Sequence, residues 1–217
     1  MLRAMDLDER VRALIAADGS GGSGAATAVI QELGSAVFGY LCPIVLEDDD
    51  AHDAFSMWAE DVWRGLPGFR WECSLRAWAY RLAWHAACRL RRDPYRARGQ
   101  RLASSAASRL AASIAASTVA TGSRREGLRR IRAKLPPDDQ TLLILRIDRE
   151  LEWDEVAAVL SGEGEPVTAP ALRKRFERLK DRIAELAREE GLLEDKDDQT
   201  PAARKKDKDE TRGGPHH

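Results

Sequence analysis

The chain has 217 residues, 43% hydrophobic and 33% charged, which is ordinary for a helical globular protein with room for one medium domain or two small ones. No window approaches the roughly 18 uncharged apolar residues of a membrane span, so membrane insertion is excluded as an expectation. Charges at Arg3, Asp6 and Asp8 occupy the place of a signal peptide's apolar run, so a cytoplasmic protein is expected.

Net charge is -1, and the distribution says more than the sum. Glu47, Asp48, Asp49, Asp50, Asp53, Glu60 and Asp61 form an acidic stretch with no Lys or Arg among them. The segment from Phe69 to Arg101 is basic, with Arg70, Arg76, Arg81, Arg89, Arg91, Arg92, Arg96, Arg98 and Arg101 against Glu72 and Asp93. Two further basic runs lie at Arg124 to Lys134 and Thr168 to Arg182. This alternation suits a protein with one partner that is nucleic acid and another that is not. Cys42, Cys73 and Cys88 are odd in number and lack paired spacing, which argues against a disulfide framework.

The first ordered piece is expected to begin near Ala25, after an extension over residues 1–24 with a short amphipathic stretch (Val11, Leu14, Ile15) and a Gly/Ser run from Gly19 to Gly24. Val29, Ile30, Leu33, Val37, Tyr40 and Leu41 predict a first helix, weakened by Gly34, Gly39 and Pro43. The second helix has the cleanest stripe: Ala51, Ala54, Phe55, Trp58, Ala59, Val62, Trp63 and Leu66 recur at spacings of three and four. Asp48 to Asp50 favour its N-terminus, and Gly65 with Pro67-Gly68 ends it. Its acidic residues read either as a docking face for a basic protein partner or as a solubilising face.

The third helix is predicted from about Ser74 to Arg92, ended by Pro94, with Leu75, Trp78, Ala79, Leu82 and Ala86 inward. At 100° per residue, Ala77, Tyr80, Trp84, Ala87, Cys88 and Arg91 fall on the opposite face. Exposed aromatics beside Arg76 and Arg81 would suit single-stranded DNA, where bases stack on rings and Arg holds the backbone. The competing reading is that another helix or the linker covers Tyr80 and Trp84. Trp71, in the loop after Phe69-Arg70, is a further candidate for an exposed aromatic.

Residues 96–123 are rich in Ala, Ser and Arg with few large apolars, and read as a linker. A second unit over 124–193 then follows. Its helices are expected at Arg124 to Lys134, Asp139 to Arg149, Glu152 to Leu160, and from Thr168 onward with Leu172, Phe176, Leu179, Ile183 and Leu186 in one stripe. A short helix, a polar turn (Ser161 to Pro166) and a longer basic helix is the helix-turn-helix order. Thr168 is a candidate N-cap, Pro170 suits the first turn, and Arg173, Lys174 and Arg175 fall where base or phosphate contacts occur. A solvated charged face is the alternative for these cations. Residues 194–217 are charged and expected to be disordered.

His85 and Cys88 stand three apart with Cys73 nearby, but no fourth ligand or CxxC accompanies them, so no metal is expected. No catalytic motif is found, so neither enzymatic activity nor a cofactor is expected.

Several of these segments together resemble a known family. His52-Asp53, Trp63-Arg64-Gly65-Leu66, Phe69-Arg70-Trp71-Glu72 and Ser74-Leu75-Arg76-Ala77-Trp78-Ala79-Tyr80-Arg81-Leu82-Ala83 are similar to region 2 of sigma-70 family factors. Leu135-Pro136, Leu142 to Arg146, Leu151-Glu152-Trp153-Asp154-Glu155-Val156-Ala157 and Val167-Thr168-Ala169-Pro170-Ala171-Leu172-Arg173-Lys174-Arg175-Phe176 are similar to region 4. A linker in place of region 3 points to the extracytoplasmic-function group.

The resemblance implies an all-α protein of two small domains, 25–95 and 124–193, on a flexible linker. It implies binding to core RNA polymerase through Asp53, Ser56, Met57, Glu60 and Asp61. It implies contact with the -10 promoter element as single-stranded DNA through Trp71, Arg76, Tyr80, Arg81, Trp84, His85 and Arg91. The -35 element would be read in the major groove by Thr168, Ala169, Ala171, Arg173, Lys174 and Arg175. An anti-sigma factor is a further implied partner. A helix-turn-helix regulator acting without polymerase is the rival reading, and a sigma-like interaction module that does not bind promoter DNA is a third. Departures are Ser56-Met57 for the family's Gln-Glu, Trp84-His85 for its Arg-Asn, Arg89 for a following Asp, and about four extra residues around Gly162 to Pro166 that are expected to bulge into solvent.

Overall fold

A computed structural model describes residues 6–17, 23–45, 48–92, 130–161 and 166–192. Every regular element among the described residues is helical, so the fold is all-α. The expected linker and C-terminal tail lie outside the described residues, as do residues 162–165 of the turn insertion.

The chain opens on a helix that the sequence reading underrated. α1 (Leu7–Ala17) buries Val11 completely and packs on α2 (Ser23–Leu41). Leu7 and Ile15 flank Val11 at spacings of four, so one narrow stripe suffices to dock a short helix. Arg10 pairs with Glu32 at 3.0 Å, and the Asp8 carboxylate accepts a hydrogen bond from the Leu75 backbone N–H at 3.4 Å. The first ordered piece therefore begins well before Ala25.

α2 continues through Gly34 and Gly39 because burial of Val29, Ile30, Val37, Phe38, Tyr40 and Leu41 outweighs the glycines' propensity cost, about 1 kcal/mol each. It stops before Pro43, which cannot donate the next backbone bond. α3 (Asp48–Gly65) buries Ala51, Ala54, Phe55, Trp58, Ala59 and Val62 of the predicted stripe and half-buries Trp63, with Phe55 stacked on Trp58 at 5.1 Å. The Trp58 indole N–H donates to the Ala79 carbonyl at 3.0 Å, which ties α3 to α4 (Leu75–Arg92). A 3-10 turn over Leu66–Gly68 ends α3. Gly65 accommodates Trp78 there, since a Cβ would stand 3.1 Å from the indole.

In the C-terminal unit, α5 (Pro137–Leu143) runs straight into one π-helical turn, Ile144–Asp148. The Arg149 N–H reaches back to the Ile144 carbonyl at 3.0 Å, one residue further than in an α-helix. Glu150 then takes a positive φ of +55°, a left-handed conformation uncommon for a residue with a side chain. α6 (Trp153–Leu160) starts with a capping box between Glu152 and Glu155. α7 (Ala169–Glu189) buries Leu172, Phe176, Leu179 and Leu186 along its stripe. Its C-terminus closes with Gly191 at φ +67°, where the Leu192 N–H returns to the Ala187 carbonyl at 2.8 Å.

The two helical units do not stand apart. α6 packs directly against α4, and their buried side chains belong to one continuous apolar cluster. α4 is thus central, with α2 and α3 on one side and α6 on the other.

Candidate nucleic-acid interface

The segment expected to form a helix-turn-helix contains α6 and α7, which pack on each other. Trp153 meets Phe176 edge-on at 5.5 Å, locking the start of α6 to the first turns of α7. Ser161 closes the turn: its hydroxyl donates to the Ala157 carbonyl at 2.7 Å and accepts from the Val167 N–H at 3.0 Å. Ser161 and Val167 are thereby tied together, and α7 packs on α6. Thr168 caps α7, accepting from the Ala171 N–H at 3.4 Å.

On this frame the basic residues separate into classes. Arg173 and Lys174 are exposed, and no carboxylate among the described residues stands within ion-pair distance of either. Arg175 turns back instead, its Nε 2.6 Å from Asp139 and a terminal nitrogen 3.8 Å from Asp138 on α5. Lys180 pairs with Glu177 and Arg182 with Glu185. Thr168 and Ala171 are exposed, whereas Ala169 is only 7% exposed. Ala169 lies three and seven residues before Leu172 and Phe176, on the inward stripe, so its expected accessibility to DNA is corrected. Arg175 is likewise better described as a tie between α7 and α5.

Trp153, quoted in the sequence only as part of a motif, gains a role from its neighbours. The Arg146 guanidinium lies 4.9 Å from its ring centroid and that of Arg173 lies 5.9 Å away. This half-buried indole thus has two cations within 6 Å of its ring centroid, beside the exposed turns of α7. Arg146 sits in the π-helical turn, and its partnership with Trp153 is a tertiary contact with no local sequence signal.

The expected single-strand platform on α4 needs a larger correction. Tyr80 is 1% exposed and Trp84 7%, so the aromatics predicted to point away from the core are buried. Ala77 and Ala87, on the same face, are buried too. Both rings belong to the apolar core, and the expectation that they point away from it is corrected. Tyr80 packs edge-on against Tyr40 at 5.3 Å, with the Arg149 guanidinium 6.0 Å from its ring. Burial raises the pKa of both phenols, which keeps them neutral.

Arg76 and Arg91 remain exposed, while Arg81 and His85 are half-buried. Trp71, also half-buried, adopts a positive φ of +60° and packs on Phe69 at 4.8 Å. Arg12 of α1 covers it, 4.3 Å from the ring centroid.

The acidic face of α3 also changes on folding. Asp53 is 4% exposed and so does not belong to a surface; α2 and α4 pack along the flanks of α3 and leave it inside. Glu60 and Asp61 stay partly exposed but are engaged, with Arg64 and with Arg89 of α4 respectively. Ser56 and Met57 are half-buried.

Cys73 and Cys88 are partly buried, and burial pushes both thiols above the usual range. Among the described residues no three His, Cys, Asp or Glu side chains converge as a metal site would require. No helix of the described residues is long and apolar enough to cross a membrane. No family model matches this chain, and no curated protein matches it.

Proposed function

We propose that this chain is an alternative sigma factor that binds core RNA polymerase and directs it to promoter DNA. The observation that carries the DNA-binding half is the capped, exposed start of α7, with Arg173 and Lys174 exposed and in no ion pair among the described residues, Arg173 lying beside Trp153. A duplex's phosphates would meet these cations while α7 enters the major groove. The polymerase half rests on the order of pieces along the chain: an acidic helix, an Arg-rich aromatic helix, then a helix-turn-helix. Glu60, Asp61, Ser56 and Met57 are the accessible candidates for that contact, and the chemistry of initiation would belong to the polymerase. An anti-sigma factor is a further proposed partner in the cytoplasm.

One observation favours a second reading. Tyr80 and Trp84 are covered, and a helix-turn-helix regulator that acts without polymerase needs no single-strand platform.

Run-off transcription with purified bacterial core polymerase, the full chain and a genomic fragment library separates the two. Discrete transcripts that depend on the chain support the sigma reading. Absence of both transcripts and co-elution with polymerase favours the regulator.

A further inference from the structure

Between α5 and α6 the backbone is irregular twice over: one π-helical turn across Ile144–Asp148, then Glu150 at φ +55°. Such departures carry a conformational cost and persist where the surroundings hold them, often beside functional residues. Here they deliver one side chain to α6. Arg146, within the π-helical turn, donates from a terminal nitrogen to the Leu151 carbonyl at 2.7 Å, and its guanidinium lies 4.9 Å from the Trp153 ring centroid. Both partners lie beyond the irregular backbone, so Arg146 reaches across it to the first residue of α6.

Trp153 in turn meets α7 in two places. Its ring packs edge-on at 5.5 Å against Phe176, which belongs to the buried stripe. The Arg173 guanidinium, from the preceding turn of α7, lies 5.9 Å from the same ring centroid. Phe176 is fixed by the core, whereas Arg173 is exposed and makes no ion pair among the described residues. An exposed arginine samples many rotamers, and fixing one of them on DNA costs entropy. A ring held nearby favours the rotamers beside it before DNA arrives, which lowers that cost. Attraction to the ring uses the guanidinium's charge and leaves its N–H donors free for phosphate oxygens. Lys174, the other exposed cation, makes no ring contact among the described residues.

We infer that Trp153 is a positioning residue for DNA binding: held by Arg146 and Phe176, it pre-orders Arg173 for a duplex phosphate. This rests on the DNA-binding half of the sigma-factor reading and on nothing about the polymerase.

The test is a double-mutant cycle on the full chain. Anisotropy with a fluorescein-labelled duplex of mixed sequence, over a salt series, reads affinity and its salt slope; circular dichroism confirms that helicity is retained. Trp153→Leu keeps an apolar side chain but removes the ring. It should weaken duplex binding by about 2-fold to 5-fold, the worth of an exposed cation–π contact. The salt slope should stay the same, because the same cations still reach phosphates. Introduced into Arg173→Ala, Trp153→Leu should have no further effect; introduced into Lys174→Ala, it should have its full effect. Trp153→Phe, which keeps a ring, should restore most of the affinity. A merely structural role for Trp153 predicts an equal loss in all three backgrounds, and that result overturns the inference. So does an unchanged affinity in Trp153→Leu, or a flattened salt slope. Should Trp153→Leu lose helicity, Arg146→Gln is read by the same cycle, and a loss that persists without Arg173 overturns the inference. A parent chain that does not bind the duplex also overturns it, whereas the sigma-factor reading is decided separately by run-off transcription with polymerase present.

Discussion

The division of α7's cations into two classes leads to a quantitative prediction. Arg173 and Lys174 are exposed with no carboxylate partner among the described residues, and Arg175 is committed to Asp139 and Asp138. Replacing Arg173 and Lys174 together with Ala removes two phosphate contacts, so the slope of log affinity against log salt should flatten by about 1.8. Between about 50 and 200 mM salt, the affinity loss of the double variant should then be about 12-fold smaller than that of the parent chain. Arg175→Ala should leave the slope almost unchanged and instead lower stability by about 1 kcal/mol, as expected for a half-exposed ion pair. Fluorescence anisotropy with a duplex over a salt series measures the slopes, and urea denaturation measures the stability. An unaltered slope in the double variant, or an equal flattening by Arg175→Ala, would refute the assignment of classes.

Other outcomes follow from packing and burial. Trp58→Ala removes a fully buried indole and its bond to the Ala79 carbonyl, and should cost about 3–5 kcal/mol in urea denaturation. Asp53→Lys buries a new cation at a closed site and should destabilise the fold, visible as lost helicity or a lowered Tm. Glu60→Lys with Asp61→Lys should retain helicity and weaken co-elution with core polymerase; full retention of co-elution counts against that docking face. Since burial raises the Cys73 and Cys88 thiols and Cys42 is exposed, a thiol reagent near neutral pH should modify Cys42 first. The sign is that a raised pKa lowers the thiolate fraction below it, so Cys73 and Cys88 should speed up only as pH rises. Mass spectrometry of the modified peptides gives the order.

Much of this was readable along the chain. The stripe from Ala51 to Leu66 marked α3, because a continuous apolar line at helical spacing has one stable solution in water. Gly65 and Pro67 marked its end, and Thr168 with Pro170 marked the start of α7, because these are local backbone effects. The order of short helix, turn and longer basic helix was legible for the same reason, but not that Arg175, unlike Arg173 and Lys174, turns back to Asp139. What sequence periodicity could not decide was which faces find partners. It put Tyr80 and Trp84 on a face of α4 away from the core, yet both are buried in it. Burial, however, depends on what arrives from residues distant along the chain: Tyr80 meets Tyr40 of α2 and Arg149 of the C-terminal unit. The same holds for Asp53, Arg175 and Arg149: each is a charged side chain whose local pattern permits solvent exposure. Only the packing of α2, α4 and α5 against their surroundings encloses the first, ties down the second and sets the third across the two units.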